Sequence, residues 1–152
     1  MNLCTYSSPV GTLYLTADEV GLTGIWMHPE ETGDFPVPSQ AKTWLDGYFA
    51  GTPGTPDFPL NPHGTPFQQQ VWQLLLDIPY GQTRTYGELA RKMAVLTGRK
   101  KMSAQAVGQA VGANPISILI PCHRVVGAGG KLTGYAGGLD KKHWLLHHEG
   151  VL

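Results

Sequence analysis

Cysteine is scarce in this chain: Cys4 and Cys122 stand far apart and form no CxxC pair. A disulfide framework and a thiolate metal site both need clustered sulfurs, so neither is expected, and Cys122 is left as a free thiol. Long hydrophobic runs are missing as well. The apolar stretches fall far short of the roughly 20 residues that span a bilayer, and the N-terminus shows no basic segment ahead of an apolar one. No membrane span and no export signal are expected, and the expected compartment is the cytoplasm. Net charge is also absent, with 11 basic against 11 acidic residues. Basic residues are nevertheless almost lacking early in the chain. Residues 1–65 hold only Lys42 against seven carboxylates, a net −6, while residues 66–152 hold ten basic and four acidic residues, a net +6. The C-terminal part is therefore suited to phosphates and the acidic part is expected to face away from them, although loops such as Arg99-Lys100-Lys101 also serve plain solubility.

A chain of 152 residues can bury one core, or one domain with a smaller one attached. The stretch LCTYSSPVGTLYLTADEVGLTGIWM reads as three short strands in a meander, broken at Pro9-Val10-Gly11 and at Asp18 to Gly21. A helix follows from about Ser39, with Ala41, Trp44, Leu45 and Tyr48 at helical spacing and Gly51 as its stop. Gly51 to Pro66 is too rich in proline and glycine for regular structure and marks a boundary, giving domains at 1–65 and 66–152. Thr65-Pro66 reads as the cap and first position of a helix with Phe67, Val71, Leu74 and Leu75 on one face. A second helix starts at Thr85, where Glu88 completes a capping box and Leu89, Met93 and Leu96 form the stripe. A third runs from about Ser103 to Gly112, and this pair suggests a helix-turn-helix. The expected fold is α/β: a small antiparallel sheet with a helix, joined to a mainly helical domain with a short active-site strand or loop.

The third helix is unusual, because Ala104, Gly108 and Gly112 leave one face almost bare. Glycine inside a helix costs about 0.5–1 kcal/mol relative to alanine, so the bare face calls for a close approach, to a core neighbour or to a nucleic-acid groove. Ile116 to Ile120 reads as an interior strand, since β-branched side chains suit a covered, pleated surface. Pro121 ends it and sets Cys122-His123-Arg124 where the core meets solvent. A cysteine there is commonly an inert small hydrophobe. His123 alters that reading, because an imidazole can take the thiol proton and the thiolate is the nucleophile. Neighbours on an extended chain point to opposite faces, so a bridging water is expected between them. Glu149, in the last turn of a final helix capped by Asp140 and ended by Gly150, opposes the helix dipole at a cost of about 0.3–1 kcal/mol. It therefore calls for a partner such as His123 or a cation; with His123 it would give a relay of glutamate, histidine, water and cysteine.

PCHRV at Pro121 to Val125, with NPISILI before it and GYAGG and WLLHHEG after it, resembles the O6-alkylguanine-DNA alkyltransferases. The likeness covers essentially all of residues 66–152, including FQQQVW, IPYGQTRTYGELA and AVGQAVGANP. It implies a single-turnover repair protein, monomeric and without a cofactor, whose partner is double-stranded DNA containing O6-alkylguanine, with O4-alkylthymine as a second lesion. A flipped base would enter a pocket and its alkyl group would pass irreversibly to Cys122. The resemblance further implies that His123 and Glu149 form the water-linked relay, that Asn114 is the hinge between recognition helix and active-site loop, and that Tyr86 crowds the phosphate and donates a proton or a hydrogen bond to the guanine ring as its oxygen leaves. The carbonyls of Cys122 and Val125 would read the guanine amino group, with Tyr135 and the Ala136 amide near O6. Ala104, Gln105 and Gly108 would lie in the minor groove, with Lys100 and Lys101 nearby. Gln105 stands where the family has an inserting arginine, and Ala136 where many members have serine. Some members bind structural zinc in the N-terminal part; with Cys4 the only cysteine there, no metal is expected. A module that merely flags alkylguanine would lack the cysteine, and a cysteine hydrolase would need an oxyanion site and would turn over repeatedly.

Overall fold

The strand meander is present in the computed structural model, which describes residues 3–152. β1 (Thr5–Ser8), β2 (Gly11–Ala17) and β3 (Leu22–Trp26) form an antiparallel sheet in that order. The first hairpin closes with Ser8 opposite Gly11, whose φ of 103° is open to glycine without a Cβ clash. The second turn is built on Asp18, which accepts the N–H groups of Val20 at 2.9 Å and Gly21 at 3.0 Å. The Gly21 bond is the largest cause holding that carboxyl at about 2. α1 (Ser39–Phe49) buries Ala41, Leu45 and Tyr48, and Gly51 at φ 83° follows its end. With Leu13, Leu15, Leu22 and Ile25 these residues make the core of a first unit. That unit runs to His63 and takes in Pro115–Ser117, because the Ile25 N–H donates to the Pro115 carbonyl at 3.0 Å and the Ser117 N–H to the Ile25 carbonyl at 3.2 Å.

The second unit comprises Gly64–Asn114 and Ile118–Leu152. α2 (Pro66–Leu76) and α3 (Tyr86–Thr97) each start from a complete capping box, Thr65 with Gln68 and Thr85 with Glu88. Each box satisfies two N–H groups that a helix start leaves open. α4 (Ala104–Gly112) is capped by Ser103, whose hydroxyl accepts from Gln105 and Ala106. These helices pack on one another through Val71, Trp72 and Leu75, through Leu89, Ala90 and Met93, and through Val107, Ala110 and Val111. Trp72 was not among the residues expected on the inner face of α2; it is fully buried and its indole N–H donates to the Ala110 carbonyl at 2.8 Å. Two short parallel strands, β4 (Arg84–Thr85) and β5 (Val125–Val126), and the last helix, α5 (Leu139–His148), complete the unit. Among the described residues no helix is long and apolar enough to cross a membrane.

Three expectations about local structure fail. Leu96 is not on the inner stripe of α3 but 58% exposed, next to Val95 at 81%, because the last turn of that helix projects past what covers the rest; Ala90 fills the stripe instead. Asp140 is not a cap: α5 starts after Gly138, at φ 102°, and Asp140 lies in the first turn, where its charge still favours the positive helix end. Finally, 116–120 is not a strand. Ile116 makes a single bridge to Ile25, after which the chain turns through Ile118 at φ 71°. An αL conformation costs a β-branched residue on the order of 1–3 kcal/mol. The buried side chains of Ile118, Leu119 and Ile120 offset that cost. Pro115 and Pro121 bracket the segment and lack the N–H groups that a ladder requires.

Candidate active site

The turn through Ile118 delivers Pro121 and then a 3-10 turn over Cys122–Arg124. Cys122 and His123 are therefore not alternating residues of an extended chain, as expected, but neighbours in a tight helical turn. All three residues of that turn are buried. Asn114, just after α4, stitches the loop shut: its side-chain N–H donates to the Ile120 carbonyl at 2.8 Å. It also hydrogen-bonds the Cys122 sulfur. Burial pushes the Cys122 thiol above its ordinary value, opposed by Asn114, by the charge of Lys142 and by backbone N–H groups. The resting sulfur is thus a protonated thiol that needs a base to become a nucleophile.

An imidazole stands beside it in sequence. His123 is fully buried, and its Nε2 lies 2.6 Å from Glu149 Oε2. Glu149 is also held by Arg124, with Nε at 2.8 Å and Nη2 at 3.2 Å, and by the Gly81 N–H at 3.0 Å. Burial alone would raise the carboxyl, but His123, Arg124 and Gly81 together hold it down at about 2. Arg124 already supplies the countercharge, so burial wins at the imidazole and keeps His123 below its usual range, against the pull of Glu149. A neutral His123 donates from Nε2 to the carboxylate, which places the basic lone pair on Nδ1. The guanidinium is fixed further by the Ile78 carbonyl, 2.7 Å from Nη1, and lies 5.7 Å from the centre of the Tyr80 ring.

A second buried basic side chain lies within electrostatic reach of the same sulfur. Lys142 is fully buried on α5, and its amine donates to the carbonyls of Val125 at 2.6 Å, Thr133 at 2.9 Å and Gly134 at 3.3 Å. It lies 5.9 Å from the centre of the Tyr86 ring. Tyr86 opens α3, and its hydroxyl donates to the same Thr133 carbonyl at 3.4 Å; burial raises its pKa. Tyr135 is half-buried and Ala136 exposed in the glycine-rich segment that Lys142 anchors. Cys122, His123, Asn114, Tyr86, Val125 and Glu149 thus gather around one cluster, while Ala104, Gln105, Lys100 and Lys101 are exposed along α4 and the connection before it. A Cβ at Gly108 would lie an ordinary 3.6 Å from the Tyr86 ring, and one at Gly112 would meet nothing within 4 Å. Core packing therefore requires glycine at neither position.

Arg124 and Lys142 were absent from the expected site, and both had a signal. Arg124 follows an apolar run without a spacer. Lys142 stands at i, i+3, i+4 and i+7 spacing with Leu145, Leu146 and Glu149, on the inward face of α5. A charge on a buried stripe demands a partner. Among the described residues no group of three or more His, Cys, Asp or Glu side chains could hold a metal ion.

The depressed Glu149 carboxyl has a measurable consequence. An acid with a lowered folded-state pKa adds stability above its unfolded value, near 4.3, and loses it as pH falls toward the folded value. Glu149→Gln should therefore be less stable than the parent at neutral pH, and the difference should shrink between about pH 4.5 and pH 2. Urea melts across that range check it; a gap that does not narrow would show that the carboxylate is not the charge being protonated.

The chain matches two family models, that of the 6-O-methylguanine DNA methyltransferase DNA-binding domain over residues 66–151 and that of the ribonuclease-like domain over residues 3–62. It is 44% identical to a methylated-DNA--protein-cysteine methyltransferase of Methanosarcina acetivorans, covering 99% of both chains. It is 46% identical to one of Mycobacterium tuberculosis, covering 95% of this chain and 90% of the other. A crystal structure of Mycobacterium tuberculosis OGT in complex with DNA superposes with a TM-score of 0.83 at 44% identity, over 98% of this chain and 92% of that one. Cys122, the buried polar network behind it and the likeness along the whole chain agree, and the chain belongs to the O6-methylguanine DNA methyltransferase family.

Proposed function

We propose that this protein repairs O6-alkylated guanine in DNA by moving the alkyl group to Cys122 once and irreversibly. The observation that carries the reading is a buried thiol followed by a fully buried imidazole whose Nε2 lies 2.6 Å from the Glu149 carboxylate. The thiol proton passes through a water to His123 Nδ1, and Glu149 stabilises the imidazolium that forms. The sulfur lone pair then makes the S–C bond as the O6–C bond breaks, its electron pair staying on the oxygen. The leaving guanine takes the Tyr86 phenolic proton on its ring, and Tyr86 regains a proton through solvent, the one that His123 accepted from the thiol closing the balance. The alkyl carbon of the resulting thioether would have to expel a thiolate, a poor leaving group from an unactivated thioether, and nothing regenerates the thiol, so one chain repairs one lesion.

The outward face of α4 suits DNA because it is smooth where a groove wall must approach. Helix α3 and helix α4 act as a helix-turn-helix laid in the minor groove, with Lys100 and Lys101 toward phosphates and Gln105 filling the space of the extruded base. Asn114 ties that helix to the active-site loop. The Val125 carbonyl gives one lone pair to Lys142 and keeps the other for the guanine amino group, with Tyr135 and the Ala136 amide near O6.

Incubation with a duplex containing O6-methylguanine should add one methyl group to the tryptic peptide of Cys122 and none to that of Cys4. Mass spectrometry reads this directly. Repeated turnover by an unmodified protein would overturn the suicide reaction.

A further inference from the structure

α5 carries a second cluster outside the site. His143 and His147 are both exposed, one helical turn apart, and their rings stack with centres 6.4 Å apart and 14° between planes. The neighbouring aromatic residues are engaged elsewhere: Trp144 and His148 stack on each other at 5.0 Å, and His148 meets Tyr80 edge-on at 6.4 Å. Histidines at i and i+4 share a helix face with their β-carbons about 5–6 Å apart. Such a pair can close a chelate on one metal ion, as the two histidines of HExxH helices do. With metal–nitrogen distances of about 2.0–2.1 Å, the ring centres of a chelate lie within roughly 6 Å of each other. The observed ring centres, 6.4 Å apart, thus stand close to the separation that a chelate requires. Asp140, one turn before His143 and also exposed, adds negative charge to the same stretch.

We propose that His143 and His147 bind one borderline divalent transition-metal ion, Cu2+, Ni2+ or Zn2+, with water in the remaining positions. The donors set the class, since imidazole suits these ions whereas Mg2+ and Ca2+ take oxygen. Two protein ligands make the site exchangeable, with Cu2+ held more tightly than Ni2+ or Zn2+. The ion bridges one turn of the helix that also carries Lys142 and Glu149, so binding stabilises the folded chain.

Calorimetric titration with Ni2+ tests this on the full chain carrying Cys4→Ser and Cys122→Ser, which removes both free sulfurs as competing ligands. One ion per chain is expected, with a rise in Tm. His147→Ala, and separately His147→Gln, should weaken binding roughly tenfold or more and abolish the Tm rise. His148→Ala and His63→Ala should leave both unchanged; the latter removes the imidazole that meets Asp18 at 2.8 Å. Binding that survives both His147 variants, or no saturable binding at millimolar Ni2+, overturns the proposal.

Discussion

Arg124→Ala should lower the unfolding free energy by about 3–5 kcal/mol, the usual cost of breaking a buried ion pair from one side. The guanidinium spends all its reach on partners, the two oxygens of Glu149 and the Ile78 carbonyl. Its loss leaves a buried carboxylate with only His123 and the Gly81 N–H to oppose burial. The carboxyl would then rise toward and past its ordinary value, and the imidazole would lose the ionised neighbour that the relay needs. Denaturant melts at pH 7 should show a large drop in midpoint without a change in slope. Arg124→Lys is the sharper variant. A lysine keeps the charge but cannot form the two-point contact and also reach Ile78. It should recover part of the stability and little of the alkyl transfer. If Arg124→Ala melts within about 1 kcal/mol of the parent, the pair is a surface-like contact, and the assignment of Glu149 as a permanently ionised anchor fails.

Much of this network was legible in the residues, and the reasons for what was not are local. Capping boxes at Thr65 and Thr85 are short-range chemistry, a hydroxyl and a carboxamide or carboxylate three residues on, and they place the starts of α2 and α3 correctly. The meander follows from turns whose geometry Gly11 and Asp18 dictate. The run Ile116 to Ile120 misleads because burial alone favours β-branched residues whether the backbone is paired or turning. What decided the matter was the pair of prolines and the tertiary bond from Ile25, and periodicity sees neither. The contact of Glu149 with His123 is legible in an unfavourable charge at a helix end. Arg124 went unnoticed because a motif read as a unit hides the burial of its third member. Lys142 was obscured by Lys141 beside it, where a pair of lysines looks like solvent-facing charge unless the stripe through Glu149 is counted.

Lys142→Met tests that second cation and the chemistry together. The amine stabilises three carbonyls, those of Val125, Thr133 and Gly134, and its charge lowers the Cys122 pKa against burial. Methionine fills the channel of the four-carbon stem but donates nothing, so the segment from Thr133 to Gly134 loses its anchor to α5. Each carbonyl left unsatisfied costs about 1–3 kcal/mol, less where water can replace the amine. The sign at sulfur is fixed: removing a nearby positive charge raises the thiol pKa further, and each unit makes the thiolate tenfold scarcer at a given pH. Alkyl transfer should fall roughly ten- to a hundredfold, on duplex DNA and on a free O6-alkylguanine base alike, since the change lies at the nucleophile rather than in base extrusion. The pH–rate profile should move to higher pH, and raising the pH should restore part of the rate. A purely structural lysine would give another pattern, a lower melting midpoint and less active protein with the pH profile of the surviving fraction unmoved. That outcome would remove Lys142 from the chemistry and leave it only as the clamp on the glycine-rich segment.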